Sequence, residues 1–211
     1  MVVETLISWK LTLASASPRR ADLLRAAGYD FDVIVPPIDE PERVSPSVPP
    51  IQQAEALSYF KARSAIGLVE TGVILAADTI VALDDAVYGK AADEHDARRI
   101  LTTLSGTRHQ VITGVSLLSA DGTRRLIAHD CTWVTMRPMV GEALDSYLAS
   151  GAWAGKAGAY GIQDQGDVFI ERIEGSFSNV VGLPMETVVA MLERWSTGST
   201  APPAKNPLLG D

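Results

Sequence analysis

The sequence predicts a mixed α/β fold, a twisted sheet flanked by helices, and three observations carry that expectation. Residues 73–83 form an apolar run broken only by Asp78 and Thr79, the pattern of a strand covered on both faces. Two β-rich segments, 108–119 and 123–136, flank Asp121-Gly122, a pair that favours a tight hairpin turn. Around these strands lie segments with helix start and stop signals, so strands and helices are interleaved along the chain.

The elements follow in order. LTLA at 11–14 reads as a strand, followed by a Ser-rich turn and a helix over 18–27, with Ser17 as N-cap, Pro18 as first helical residue and Gly28 as terminator. A strand is predicted over 31–35. Residues 36–50 are proline-rich and acidic, which predicts a loop. The spacing of Ala54, Leu57, Ser58, Ala65 and Leu68 predicts a helix over 51–69 with those residues inward, and Lys61 falls within that stripe. After the 73–83 strand, DEHDARRILTTLSG reads as a helix with acidic residues in its first turn and Gly106 just past its end. A short helix near 141–149, a glycine-rich stretch GAWAGKAGAYGIQ, a strand over 168–173 and a helix starting at Pro184 complete the series. Residues 10–196 read as one domain. The aperiodic remainder, 197–211, reads as a disordered tail.

Bulk properties exclude several classes. With 211 residues the chain can bury a core without staples, either as one α/β domain or as two lobes sharing a cleft. Its single cysteine, Cys131, has no internal partner and lies in an apolar strand, where a buried inert thiol is expected. Glu4 and Lys10 interrupt the N-terminus before any signal-like apolar segment develops, and no run is long enough to span a bilayer. A cytosolic location is the expectation. A net charge of -8 argues against a protein that coats nucleic acid, although a local basic cluster can still hold a small phosphate ligand.

A few residues stand out chemically. Arg19 and Arg20 lie in a first helical turn, where positive charge opposes the helix dipole; an anion docked on the exposed N–H groups would reverse that cost. Lys61 either snorkels from its apolar stripe or points into a cleft. Asp78 is the sharpest anomaly, because a carboxylate in a doubly covered strand must be paired, capped or bound to metal, or serve as a general base. Glu40, on the proline-rich loop, and Lys90, in a turn, carry no signal by themselves.

Taken together these pieces resemble the Maf family of nucleotide pyrophosphatases. The matching segments are LASASPRRADLL, the IDE at 38–40, Lys61, LAADTIVALDDAVYGK, LSGTRHQVITGV, KAGAYGIQ and EGSFSNVVGLPMET, which span about Leu11 to Leu192 in one order. The resemblance implies a fold like that of inosine triphosphate pyrophosphatases, two lobes around a central cleft, frequent homodimers, and metal-dependent cleavage between the α- and β-phosphates of a nucleotide substrate. It implies Asp78 as general base, Ser15, Arg20, Lys61 and Lys90 on phosphates, and Glu40 with Asp78 holding Mg²⁺ or Mn²⁺.

The branch acting on 7-methyl-GTP has Trp after the Ser-Pro, Gln after the Asp, and Glu in place of the glutamine of YGIQ. Here those positions are Arg19, Thr79 and Gln163, which resemble the branch acting on dTTP, UTP and modified pyrimidine triphosphates. A glutamine amide matches the N3–H and a carbonyl of uracil or thymine. Strand alternation sets Thr79 opposite Asp78, so this assignment calls for a bulge or a strand end there. The chain departs from the family pattern at Ala91, where Pro is usual, and at Asp164-Gln165, where Gly is more common.

Overall fold

Residues 9–37, 47–163 and 167–198 are described by the computed structural model. Their elements are β1 (Leu11–Ala14), α1 (Pro18–Ala26), β2 (Asp32–Ile34), α2 (Pro50–Ser64), β3 (Val73–Leu83), β4 (Ala86–Tyr88) and α3 (Glu94–Leu104). These are followed by β5 (Arg108–Ser119), β6 (Arg125–Met136), α4 (Glu142–Ala149), β7 (Ile170–Glu174), α5 (Phe177–Val181) and α6 (Met185–Thr197). The strands form one mixed sheet in the order β2-β1-β3-β5-β6-β7, with β4 hydrogen-bonded to β3. β1 is parallel to β2 and β3, and all other pairs are antiparallel.

Local chemistry accounts for most boundaries. Asp93 caps α3 by accepting from the Asp96 N–H, and Gly122, at φ +74°, turns β5 into β6 as the Asp-Gly pair predicts. α2 differs from expectation. It stops at Ser64 rather than 69, because the chain tightens at Ala65 and Ile66 and reverses at Gly67, φ +86°, which leaves Leu68 55% exposed instead of inward. β7 begins at Ile170, after a 3-10 turn over Asp167–Phe169. The five-residue α5, capped by Ser176, carries too few residues for a periodic signal.

Alternation along β3 and β5 divides the core. On one face, Ile74, Ala76, Ile80 and Ala82 lie beneath α2. On the other, Val73, Leu75 and Ala77 pack with α1 and α6, while Val81 packs with α3 and α4. Between those two apolar groups runs a polar seam of Thr79, Thr113, Asn179 and Thr132. The chain thus folds two cores onto one sheet face and leaves a polar junction between them. No described helix is long and apolar enough to cross a membrane.

Candidate active site

The sheet has a gap at β3. β1 pairs with β3 only as far as Leu75, and β4 joins it only from Val81, so among the described pairings 76–80 has β5 alone as neighbour. A cleft of about 600 Å³ opens on this edge, a volume suited to a small-molecule ligand. Both Asp78 and Thr79 line it. The β3–β5 register runs through Asp78↔Gly114 and Thr79↔Thr113 without a shift. No bulge is therefore needed to bring Thr79 to the site: a residue on either face of an unpaired strand edge borders the same opening.

On the α2 side the Lys61 ammonium donates to Asp78 Oδ1, and both side chains are only 12% exposed. The pairing explains how a carboxylate survives in an apolar strand. It also explains Lys61, which points into the cleft rather than snorkelling out. α2 reaches the sheet because residue 114 is glycine: a Cβ there would fall 2.2 Å from the Ala54 carbonyl oxygen.

Thr79 faces the other way. Its hydroxyl accepts from Arg20 Nη2 at 3.1 Å and meets Thr113 Oγ1 at 3.0 Å. Arg20 is buried, with Nε donating to the Gly182 carbonyl at 2.7 Å and Nη1 to Ser15 Oγ at 3.2 Å. Gly182 caps the C-terminus of α5, so this guanidinium sits where a helix favours positive charge. Arg20 thus has a tertiary reason to lie at the start of α1, and of the two arginines Arg19 is the more exposed cleft residue. Ser17 occupies the N-cap position of α1 but makes no side-chain cap bond; its N–H donates instead to Ser15 Oγ. The opening turn of α1 borders the cleft.

The far wall is the turn from 154 to 163. Lys90, exposed at the rim, is bridged to it by backbone pairing with Ala157, and Gln163 lies exposed at its end. Ala91, where proline is usual, packs against the apolar core instead. Tyr160 anchors the wall from below. Its hydroxyl lies 2.7 Å from His109 Nε2, and Thr107 Oγ1, which donates to the Leu104 carbonyl, lies 3.2 Å from Nδ1. Because Thr107 has only one proton to give, His109 carries its proton on Nδ1 and Nε2 accepts from Tyr160. Burial lowers the His109 pKa to about 4 and raises that of Tyr160, so both groups are neutral and this chain of donors is stable.

Of the residues singled out by sequence, Ser15, Arg19, Arg20, Lys61, Asp78, Thr79, Lys90 and Gln163 all border this one cleft. Glu40 lies outside the described residues, as do Asp164-Gln165 and 199–211. No group of three or more metal-ligating side chains occurs among the described residues. Lys156 and Gly182 were not singled out by sequence. The lysine sat in view within KAGAYGIQ, but burial of its ammonium depends on how that turn folds back. Cys131 is buried away from the site with its thiol pushed up to about 11, the inert state expected.

The cleft's described charged side chains are Arg19, Arg20, Lys61, Lys90 and Lys156 against one acid, Asp78, which in a chain of net charge -8 marks a local site for an anion. A family model described as "Maf-like protein" matches residues 10–195. A protein of Ruminiclostridium cellulolyticum named dTTP/UTP pyrophosphatase is 44% identical over 185 residues, 87% of this chain and 95% of that one. A Vibrio parahaemolyticus protein of the same name is 41% identical, covering 84% of this chain and 93% of its own length. Among solved structures, a nucleoside-triphosphatase (dITP/XTP pyrophosphatase) of Mycobacterium abscessus aligns over 92% of this chain and 98% of its own at 14% identity, with a TM-score of 0.42.

Proposed function

The chain belongs to the Maf family, and from that premise we propose that it hydrolyses dTTP, UTP and related pyrimidine triphosphates to the monophosphate and pyrophosphate. The observation that carries this reading is the edge of β3, where a buried carboxylate opens onto a cleft whose other described charged side chains are all cations. The relatives' names supply the substrate class. Arg19, Thr79 and Gln163, the residues that resemble the pyrimidine branch, border that cleft together. Activity in the cytosol follows from the same reading.

In the proposed reaction Asp78 takes a proton from the attacking water, as a positioned carboxylate can. Water adds at phosphorus, the bridging P–O bond between the α- and β-phosphates breaks, and pyrophosphate leaves. Lys61 fixes the Asp78 carboxylate by its hydrogen bond to Oδ1. Arg19, Lys90 and the first N–H groups of α1 face the charge that grows on the leaving group. Arg20 holds Ser15, Thr79 and Gly182 in register, so its contribution is positional as well as electrostatic.

A Mg²⁺ or Mn²⁺ ion fits this donor set, since such ions are commonly held by one or two carboxylates together with substrate phosphate oxygens. Asp78 supplies one carboxylate to the cleft, and Glu40 is the proposed second. When bound, the ion would polarise the phosphate oxygens. Pyrophosphate release from dTTP, UTP, 7-methyl-GTP and the other common triphosphates, with and without Mg²⁺ or Mn²⁺, tests the proposal. UTP and dTTP are expected to lead. Preference for 7-methyl-GTP would move the chain to the other branch, and binding without pyrophosphate release would make it a nucleotide-binding regulator.

A further inference from the structure

Lys156 is 7% exposed, yet it lines the cleft. A buried ammonium needs acceptors, and one of its donors goes to the Ala152 carbonyl at 2.6 Å. Its stem lies across Gly161, where an added Cβ would stand 3.0 Å from Cδ and Cε and 3.2 Å from Nζ. Glycine at 161 thus makes room for the lysine, and the lysine is held two residues from Gln163. The wall it belongs to covers the Thr79 face of β3, since a Cβ at Gly158 would meet Val81 Cγ2 at 2.7 Å. Asp78 and Lys61 lie toward the opposite face, under α2.

We propose that Lys156 is a further specificity residue, donating a hydrogen bond to the C4 carbonyl oxygen of uracil or thymine in the substrate. The proposal rests on the pyrimidine reading above and addresses a selectivity that Gln163 cannot supply. An amide carries a donor and an acceptor and reverses them by flipping, so Gln163 can match the edge of uracil or that of cytosine. A lysine ammonium only donates. At C4, uracil and thymine present a carbonyl oxygen and cytosine an amino group, so a donor-only partner favours the first two and meets cytosine donor to donor. Leaving a buried polar group unmatched is what gives a hydrogen-bonding site its discrimination.

The test compares kcat/KM for UTP and CTP in the wild-type protein and in Lys156→Met, which keeps most of the apolar stem and removes the donors. The UTP-to-CTP ratio is expected to fall about tenfold or more in the variant. A ratio left unchanged, whether because both substrates fall together, as for a phosphate contact, or because neither changes, overturns the role of Lys156. Equal rates on UTP and CTP in the wild type overturn it as well. If Lys156→Met shows no cooperative melting transition, Lys156→Gln is read in the same assay: its amide keeps a donor and adds an acceptor, so the ratio must again fall, and a retained ratio overturns the proposal. Failure of the wild type to cleave UTP or dTTP overturns the substrate reading itself, an outcome distinct from retained UTP preference in the variant.

Discussion

Asp78 and Thr79 are neighbours in sequence, and the two sides of β3 they reach are built from different chemistry. On the α2 side is an ion pair, Asp78 with Lys61, and Gly114 lets that helix come close to the sheet. On the other side is a network of hydroxyls, a guanidinium and the carbonyl end of α5. The first joins two opposite charges at the cleft; the second is arranged to hold shape and present hydrogen-bonding groups. Strand alternation normally separates such residues by the thickness of a sheet. Here, among the described pairings, β3 has β5 alone as neighbour over 76–80, so both side chains open onto one cleft and border the same ligand space.

The sharpest way to break this comparison is Asp78→Asn. Turnover is expected to fall about 10²- to 10⁴-fold, measured as pyrophosphate release, with the cooperative melting transition retained. Near-normal turnover would remove the chemical role of the α2 side.

The next effect falls on the opposite side and is a matter of pH. His109 has its pKa lowered to about 4 by burial, so the unfolded chain takes up the proton first as pH falls. Stability is full above the ordinary value near 6.5 and is lost as pH drops through the interval to about 4. The stability at stake is roughly 3 kcal/mol. Urea midpoints of wild type and His109→Gln between pH 7 and 4 should therefore converge as pH falls, or cross. Parallel profiles would exclude His109 as the source.

A smaller effect is expected for Thr79→Val, which keeps the shape and removes the hydroxyl shared by Arg20 and Thr113. Loss of a hydrogen bond to a charged group costs about 1.5–3 kcal/mol. Expressed in substrate binding, this predicts KM for UTP about ten- to a hundredfold higher, with kcat within about twofold, because Asp78 and Lys61 are untouched. A fall in kcat like that of Asp78→Asn would show that the two sides do not act separately.

Much of the site was legible because its parts violate local rules. A carboxylate in an apolar strand, a lysine on a core-facing stripe and two arginines at a helix start are each visible in the chain, and the first two turn out to be partners. The reading of Arg20 was incomplete for a definite reason: its compensation is the carbonyl of Gly182, 162 residues away, which no local pattern reports. Lys156 was missed for the same cause, since lysine in a glycine-rich turn is ordinary until that turn is folded against a wall. β2 and α5 are short because pairing and capping, rather than periodicity, define them.

By itself the sequence determined most of the strands and helices, though not the short β4 and α5, because apolar period, capping residues and turn glycines act over a few residues. It also determined that Asp78 requires compensation, because the energetic cost of a buried charge depends little on which fold buries it. Only the tertiary structure decided how that requirement is met and that Thr79, on the opposite face, borders the same cleft. The first depends on α2 packing Lys61 against β3, and the second on β1 pairing only as far as Leu75 and β4 joining β3 only at Val81, arrangements of distant segments set by packing across the whole sheet.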